Sequence, residues 1–462
     1  MRLSPAICAL LVAGFPTLSL AAEPLTLEKL VELARTNDVR VKEAEADLRV
    51  FEAKYSQAKW AWFPKFESTL ITAGPTPEAR NDGLGGPPLT EATKMYDANF
   101  GTVGWMVGAE ANALLPLYTF GKLGALREAG EQGPIAGEQL KKRAQDEAAY
   151  DAARAFYGYQ LARMGKEGLK ETATRLDDAS KLIDQLVAQE STQVSKIDTY
   201  KVSFFRKQLE AKQASADSGL QLATAAIRLL SGAKPGEPVE VEAQDLEAPT
   251  FELLPIDKYV DLARENRPEL KAIAAGVTAR EKEVFIRQRQ YLPDFGLLGF
   301  FRWRYTTSST RQLSPFAYDP YNDLSGGVAL VMHATFDIPM KMAVVEEAQG
   351  NLDKMRAQQG EIEAGMRLEL QQIYGDLQNA LLRAKSLAEA ERSARRWATA
   401  AYANFEVGTG DTRELVDSFT ALAMASNDKL QAWHDSALGI RALSRAVGMR
   451  VDQPAAVRKS AE

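Results

Sequence analysis

Few residues of this chain are equipped for covalent or metal chemistry. Its two histidines, His333 and His434, stand far apart, and its single cysteine, Cys8, lies in an apolar N-terminal run. No His-Glu-x-x-His, phosphate-cradling glycine loop or Gly-x-Gly-x-x-Gly is present, so a metal or nucleophile site would need scattered carboxylates. The carboxylates with suggestive spacing are Glu414 and Asp417 in GTGDTRELVDS, three apart and hence on one face of a helix. Several copies around an axis would make an acidic ring, which attracts cations. Glu414 also has a local reading, because Asp411-x-x-Glu414 is a capping box. No cap explains Asp417. Asp198, three after Ser195, carries the same ambiguity. His434 follows Trp433 on a helix and reads as a packing or surface residue.

The elements that must position these acids begin after a leader. MRLSPAICALLVAGFPTLSLAA has one charge, an apolar run and Ser19-Leu20-Ala21, which fits a signal-peptidase site. Cleavage is expected after Ala21 or one residue later. The mature chain then leaves the cytoplasm without cysteine, so it has neither disulfides nor a thiol for a lipid anchor. Lys and Arg number 56 against 62 Asp and Glu, a net charge of −6, and loss of Arg2 makes it one more negative. Nucleic acid is excluded as a partner. No later apolar stretch approaches the roughly 18–20 residues of a membrane-spanning helix. Strands could still enter a membrane undetected by hydropathy.

The chain also says one thing twice. IDKYVDLARENRPELK at 256–271 echoes LEKLVELARTNDVRVK at 27–42, and the match runs ungapped to Phe66/Phe295. Lys29/Lys258, Val31/Val260, Asn37/Asn266, Glu52/Glu281 and Pro64/Pro293 are among the identities. A repeat this long implies one structural unit used twice. The expected organisation is a leader at 1–21, a first repeat at 22–231, an acidic Pro-rich linker at 232–252, a second repeat at 253–448 and a disordered tail at 449–462.

Each repeat has the same order. A helix (27–62, 256–292) ends before a proline. Two strand-like segments follow, separated by turn-rich loops at 74–88 and 306–327. Alternation places Phe295, Leu297, Phe301, Trp303 and Tyr305 on one strand face and Arg302 and Arg304 on the other. Likewise Val103, Trp105, Val107, Ala109, Ala111 and Ala113 oppose Gly104, Gly108, Glu110 and Asn112, and Val328, Leu330, Met332, Phe336 and Ile338 oppose His333 and Asp337. Long helices come next, at about 136–188 and 341–406, each returning after a turn as 195–230 and 412–447. The second carries a seam at Leu370, Ile373, Leu377, Ala380, Ala384, Leu387, Glu391, Ala394, Ala398, Ala401 and Phe405, broken only by Glu391. Its 3–4 spacing is that of a coiled coil. Four strands per chain are too few for a membrane barrel, which starts at about eight, so insertion would require sharing, and three copies would give twelve.

This order of elements resembles the TolC-like outer-membrane efflux proteins over about 25–448. LLPLYTFGK at 114–122 looks like that family's strand-to-helix crossover, and YANFEVGTGDTRELVDS at 402–418 like its periplasmic tip. The resemblance implies a mainly α fold with a small membrane β part, assembled as a homotrimer with a 12-stranded barrel and a periplasmic α-helical coiled-coil barrel. It implies an exit duct without enzymatic activity or cofactor in the outer membrane. Its partners would be lipid, a periplasmic adaptor and an inner-membrane transporter. Carried over, Val407, Gly408 and Thr409 would contact the adaptor and Glu414 and Asp417 would line the entrance, with Asp198 a further candidate. Trp105, Trp303, Tyr305 and Phe336 would belong to aromatic girdles, while Arg302 and Arg304 would face the lumen. The chain departs from the family pattern at the first tip, LVAQESTQVSKID, which lacks the glycine. It also departs at the second crossover, where Met340 and Lys341 replace an aromatic and Gly. Type I protein secretion shares the implied fold. A periplasmic coiled-coil scaffold explains the helices but not the aromatic strands, and a secreted enzyme lacks a site.

Overall fold

The structure is a computed structural model that describes residues 24–76, 104–189, 194–234, 237–309, 319 and 321–452. The leader, most of the first turn-rich loop, part of the second, the first tip at 190–193 and the tail beyond 452 lie outside the described residues.

The expected opening helix is two helices in each half. α1 (Leu27–Asn37) and α2 (Val39–Lys59) are followed by β1 (Lys65–Thr76), β2 (Gly104–Tyr118), α3 (Lys122–Ala188) and α4 (Lys196–Ser231). The second half runs α5 (Ile256–Asn266), α6 (Pro268–Arg289), β3 (Asp294–Thr306), β4 (Leu324–His333), α7 (Ile338–Glu406) and α8 (Thr412–Val447). The break after α1 has a local cause. The N–H of Asp38 still bonds Ala34 O at 3.1 Å, but its carboxylate accepts from Arg40 N at 2.8 Å and so starts a new helix. In the second half Pro268 occupies the first turn of α6 and its predecessor, Arg267, is extended. α5 begins and ends 229 positions after α1, and β3 begins 229 after β1.

The first rod starts earlier than expected. α3 begins at Lys122 and carries Pro134 within it. The glycines that disguised this stretch are there for packing. A Cβ on Gly130 would stand 2.9 Å from Ala58 Cβ, and one on Gly137 3.0 Å from side-chain carbons of Leu48 and Phe51. Gly130, Gly133 and Gly137 thus present a flat stripe to α2. α3 and α7 have 67 and 69 residues, on the order of 100 Å each at about 1.5 Å per residue. No helix among the described residues is long and apolar enough to cross a membrane.

By packing, the chain forms two compact units, each drawing on both sequence halves. One comprises Met1–Lys42, Ala144–Ala263 and Glu369–Glu462; the other comprises Glu43–Arg143 and Arg264–Leu368. In the first unit, Leu27, Leu30, Ala34 and Val41 are buried against Ala148, Ala152, Phe156 and Ile227. The segment linking the halves belongs to this unit and is packed. Leu25 pairs with Val241, the Gln160 amide donates to Gln244 O at 3.0 Å, and Leu246 is buried. The seam of α7 is also here, with Leu370, Leu377, Ala380, Ala384, Ala398, Ala401 and Phe405 all buried.

The second unit holds one antiparallel sheet in the order β1-β2-β3-β4. The last strand stops earlier than its alternation suggested. β4 ends at His333, Ala334–Asp337 lie outside any strand, and Ile338 opens α7. Asp337 O accepts from Lys341 N at 3.0 Å, and Pro339, lacking an N–H, fits the first turn. Phe336 therefore lies off the sheet.

Candidate functional site

The register of the sheet sorts its side chains into two faces. Phe66 pairs with Ala113, Leu70 with Ala109, Tyr305 with Val107, Trp303 with Ala109, and Leu330 with Leu297. These residues share one face, and Phe66, Leu70, Trp105, Phe301, Trp303, Tyr305, Leu324, Val328, Leu330 and Met332 are all exposed on it. An apolar face this continuous has no core of its own to cover. Glu110, Arg302 and Arg304 occupy the opposite face, as alternation requires.

Except for Phe301, the aromatic residues gather at the two ends of the apolar face. Trp105, 55% exposed, joins Trp303 and Tyr305 at the loop end. The Trp105 N–H donates to Thr307 Oγ1 at 2.9 Å, which ties the two strand ends. Phe336, 87% exposed, sits in the crossover at the helix end. The sequence reading gave no role to four further aromatic residues there. Trp60, Trp62, Phe63 and Phe66 are exposed and follow one another with ring centroids 6.1–6.2 Å apart. KWAWFPKF around Pro64 was the available signal. From Phe295 to Tyr305 the strand covers roughly 33 Å, or about 25 Å along an axis tilted by about 40°, the height of an outer-membrane apolar band.

Two crossovers lead from sheet to rod by different means. In the first, Phe120 (φ 50) and Gly121 (φ 83) are both left-handed, a conformation costly for a bulky residue such as phenylalanine. The second has no left-handed residue among those described. Lys341 instead donates to Gln290 O at 2.7 Å and Thr335 O at 2.5 Å, holding the extended segment against the end of α6. Replacement of the usual aromatic and Gly by Met340 and Lys341 thus accompanies a different bend.

The helical tip lies in the other unit. α7 ends in a complete Schellman motif. Thr409 N donates to Asn404 O at 3.0 Å, Gly408 N to Phe405 O at 3.2 Å, and Gly408 is left-handed at φ 82. Gly410, which the sequence reading passed over, is as constrained, because a Cβ there would lie 2.6 Å from Phe405 N. Val407 is 73% exposed at the apex. Below it Leu176, Ala179 and Ile183 of α3, Val202 of α4, and Phe405, Leu415, Val416 and Phe419 form one buried cluster. That cluster ties both hairpins together.

The three acids differ in their surroundings. Asp411 caps α8 by accepting from Arg413 N at 3.2 Å. Among the described residues Glu414 makes no hydrogen bond, so the capping box is only half formed, and Glu414 and Asp417 are exposed on one face. Asp417 has Arg413 Nε at 3.7 Å. Asp198 is engaged in a full capping box. It accepts from Ser195 N at 2.9 Å and Ser195 Oγ at 3.1 Å, with Lys201 Nζ at 3.1 Å. Burial pushes its pKa up, but the Ser195 N–H, Lys201 and the Ser195 hydroxyl together outweigh burial and hold it below the usual carboxylate range.

The fold has known counterparts. The outer-membrane channel OprN is 18% identical, with 91% of this chain and 89% of that one covered at a TM-score of 0.74. The CmeC outer membrane channel of Campylobacter jejuni is 14% identical over 94% and 88% at 0.72. The open-state MtrE channel of Neisseria gonorrhoeae is 14% identical over 92% and 89% at 0.72. No curated protein sequence matches the chain. Residues 259–449 match the family described as outer membrane efflux protein.

The second half of the chain thus resembles the outer membrane efflux protein family, and nearly the whole chain has the fold of these outer-membrane channels.

Proposed function

We propose that three copies of this chain assemble into one efflux channel, with their sheets closed into a twelve-stranded barrel. The carrying observation is the open four-stranded sheet with one largely apolar, exposed face. In hydrocarbon the unpaired edges of β1 and β4 would each leave backbone N–H and C=O groups without partners, at several kcal/mol apiece. Pairing β1 of one copy with β4 of the next removes both edges at once. The four-helix tip would then be repeated around the same axis. Exposed Val407 with the Gly408–Thr409 turn offers the surface for a periplasmic adaptor that links the channel to an inner-membrane transporter. Glu414 and Asp417 face the entrance as paired carboxylates from each copy. Asp198 is the weaker candidate for that ring, since its carboxylate is held by its own helix start.

The test is the native mass of the protein extracted from outer-membrane fractions in mild detergent, by light scattering with detergent subtracted. Three copies per particle is the expected result. A monomer or dimer in the soluble periplasmic fraction would mean that the sheet never meets lipid and would overturn the proposal.

A further inference from the structure

The polar face of the sheet carries an ion cluster that membrane insertion and trimer closure leave unused. Glu110 in β2 lies directly opposite Arg302 in β3, 3.5 Å from its Nε. The same carboxylate oxygen is 2.5 Å from Arg304 Nη2. Arg304 reaches it diagonally, because the residue opposite Arg304 is Gly108. A Cβ at 108 would stand 3.2 Å from Arg304 Cγ and 3.1 Å from Trp303 O. Glycine at that position therefore leaves the passage by which the arginine stem crosses to Glu110. Asp323, before β4, joins them at 3.8 Å from Arg302 Nη1. Among the described residues two guanidiniums thus meet two carboxylates, whose charges balance.

We propose that Glu110 is the charge-balancing residue of the barrel lumen, so that the outer stage of the conduit passes solutes without selecting their sign. The inference rests on the trimeric channel reading above. Rings of like charge are what make a pore selective, and Arg302 and Arg304 repeated around a barrel would otherwise form one. Glu110 is the only carboxylate that touches both arginines among the described residues.

The experiment is the reversal potential of the full-length trimer in planar bilayers under a potassium chloride gradient. Glu110→Gln should move it towards chloride, raising the chloride-to-potassium permeability ratio about two-fold. That is the size expected of one uncovered charge per copy across a wide, salt-screened lumen. Arg304→Gln should move it the opposite way, and the double variant should return it to the wild-type value. Should Glu110→Gln fail to assemble, the Arg304→Gln shift towards potassium carries the test alone. An unchanged reversal potential in trimers of the substituted proteins overturns the inference. Absence of any conductance in wild type would instead overturn the channel reading.

Discussion

Glu391 is the one charge in the apolar seam of α7, and its removal should loosen the junction with α8. The residue is 5% exposed. Its Oε1 accepts from Arg395 Nη2 at 2.6 Å and Nε at 3.0 Å, and Lys429 Nζ of α8 lies 3.7 Å from Oε2. Arg395 is half exposed, so its share is a few tenths of a kcal/mol. The larger part concerns Lys429, whose side chain is mostly buried. Breaking a buried pair costs about 3–5 kcal/mol because one charge is left uncompensated. Lys429 retains the Trp433 ring 5.0 Å away, which returns about 0.5–1 kcal/mol, and some contact with water. Glu391→Ala should therefore cost about 2 kcal/mol, or roughly thirty-fold in local opening. Hydrogen exchange of the assembled protein reads this directly, as faster exchange of α7 and α8 amides near residues 391 and 429 with distant amides unchanged. The double change Glu391→Leu with Lys429→Met should restore protection, since an apolar pair of similar volume replaces the ion pair. Wild-type exchange rates in Glu391→Ala, or a double variant as labile as the single, would refute the reasoning.

Gly408→Ala places a Cβ on a left-handed residue and should destabilise the tip turn by about 1 kcal/mol, read as several-fold faster proteolysis there. Gly410→Ala should be worse, because the clash is with backbone at Phe405. Asp198 has a lowered pKa in the folded state, so its stabilisation of α4 is fully present above the ordinary carboxylate value of about 4 and is lost as pH falls through the folded value. Exchange in the first turn of α4 should rise on acidification below about pH 4, and Asp198→Asn should abolish that dependence. Asp417→Ala should raise single-channel conductance and weaken cation preference; identical currents would remove Asp417 from the entrance.

Much of this architecture is local and was legible for that reason. The seam of α7 is written in a 3–4 spacing, and every buried position named above follows it. The strand faces follow from period-two alternation, so Trp303 and Arg302 were separated correctly before any register was known. The return helix expected at 412–447 is α8, Thr412–Val447. Misreadings arose where one signal has two causes. Gly130, Gly133, Pro134 and Gly137 look like helix breakers but form the close-packing surface of a helix, and only the approach of α2 reveals it. Phe336 continues an alternating pattern, yet Pro339 and the Asp337 carbonyl convert the chain to helix first. Trp60 and Trp62 were hidden inside a stretch read only as the end of a helix.

From its order of residues alone this protein determined its elements, their amphipathic faces and its likeness to the efflux family, because propensity and periodicity act over a few residues. Tertiary structure decided which acid does what. Asp198 and Glu414 stand in the same sequence context, third after a capping residue, yet the first is drawn into its cap and the second is left facing out. It also decided that Glu391 is an anchor for Lys429 and that Glu110 lies between two arginines. Those outcomes depend on pairings between residues 38 and 192–194 positions apart, and no local pattern encodes which distant side chain will arrive.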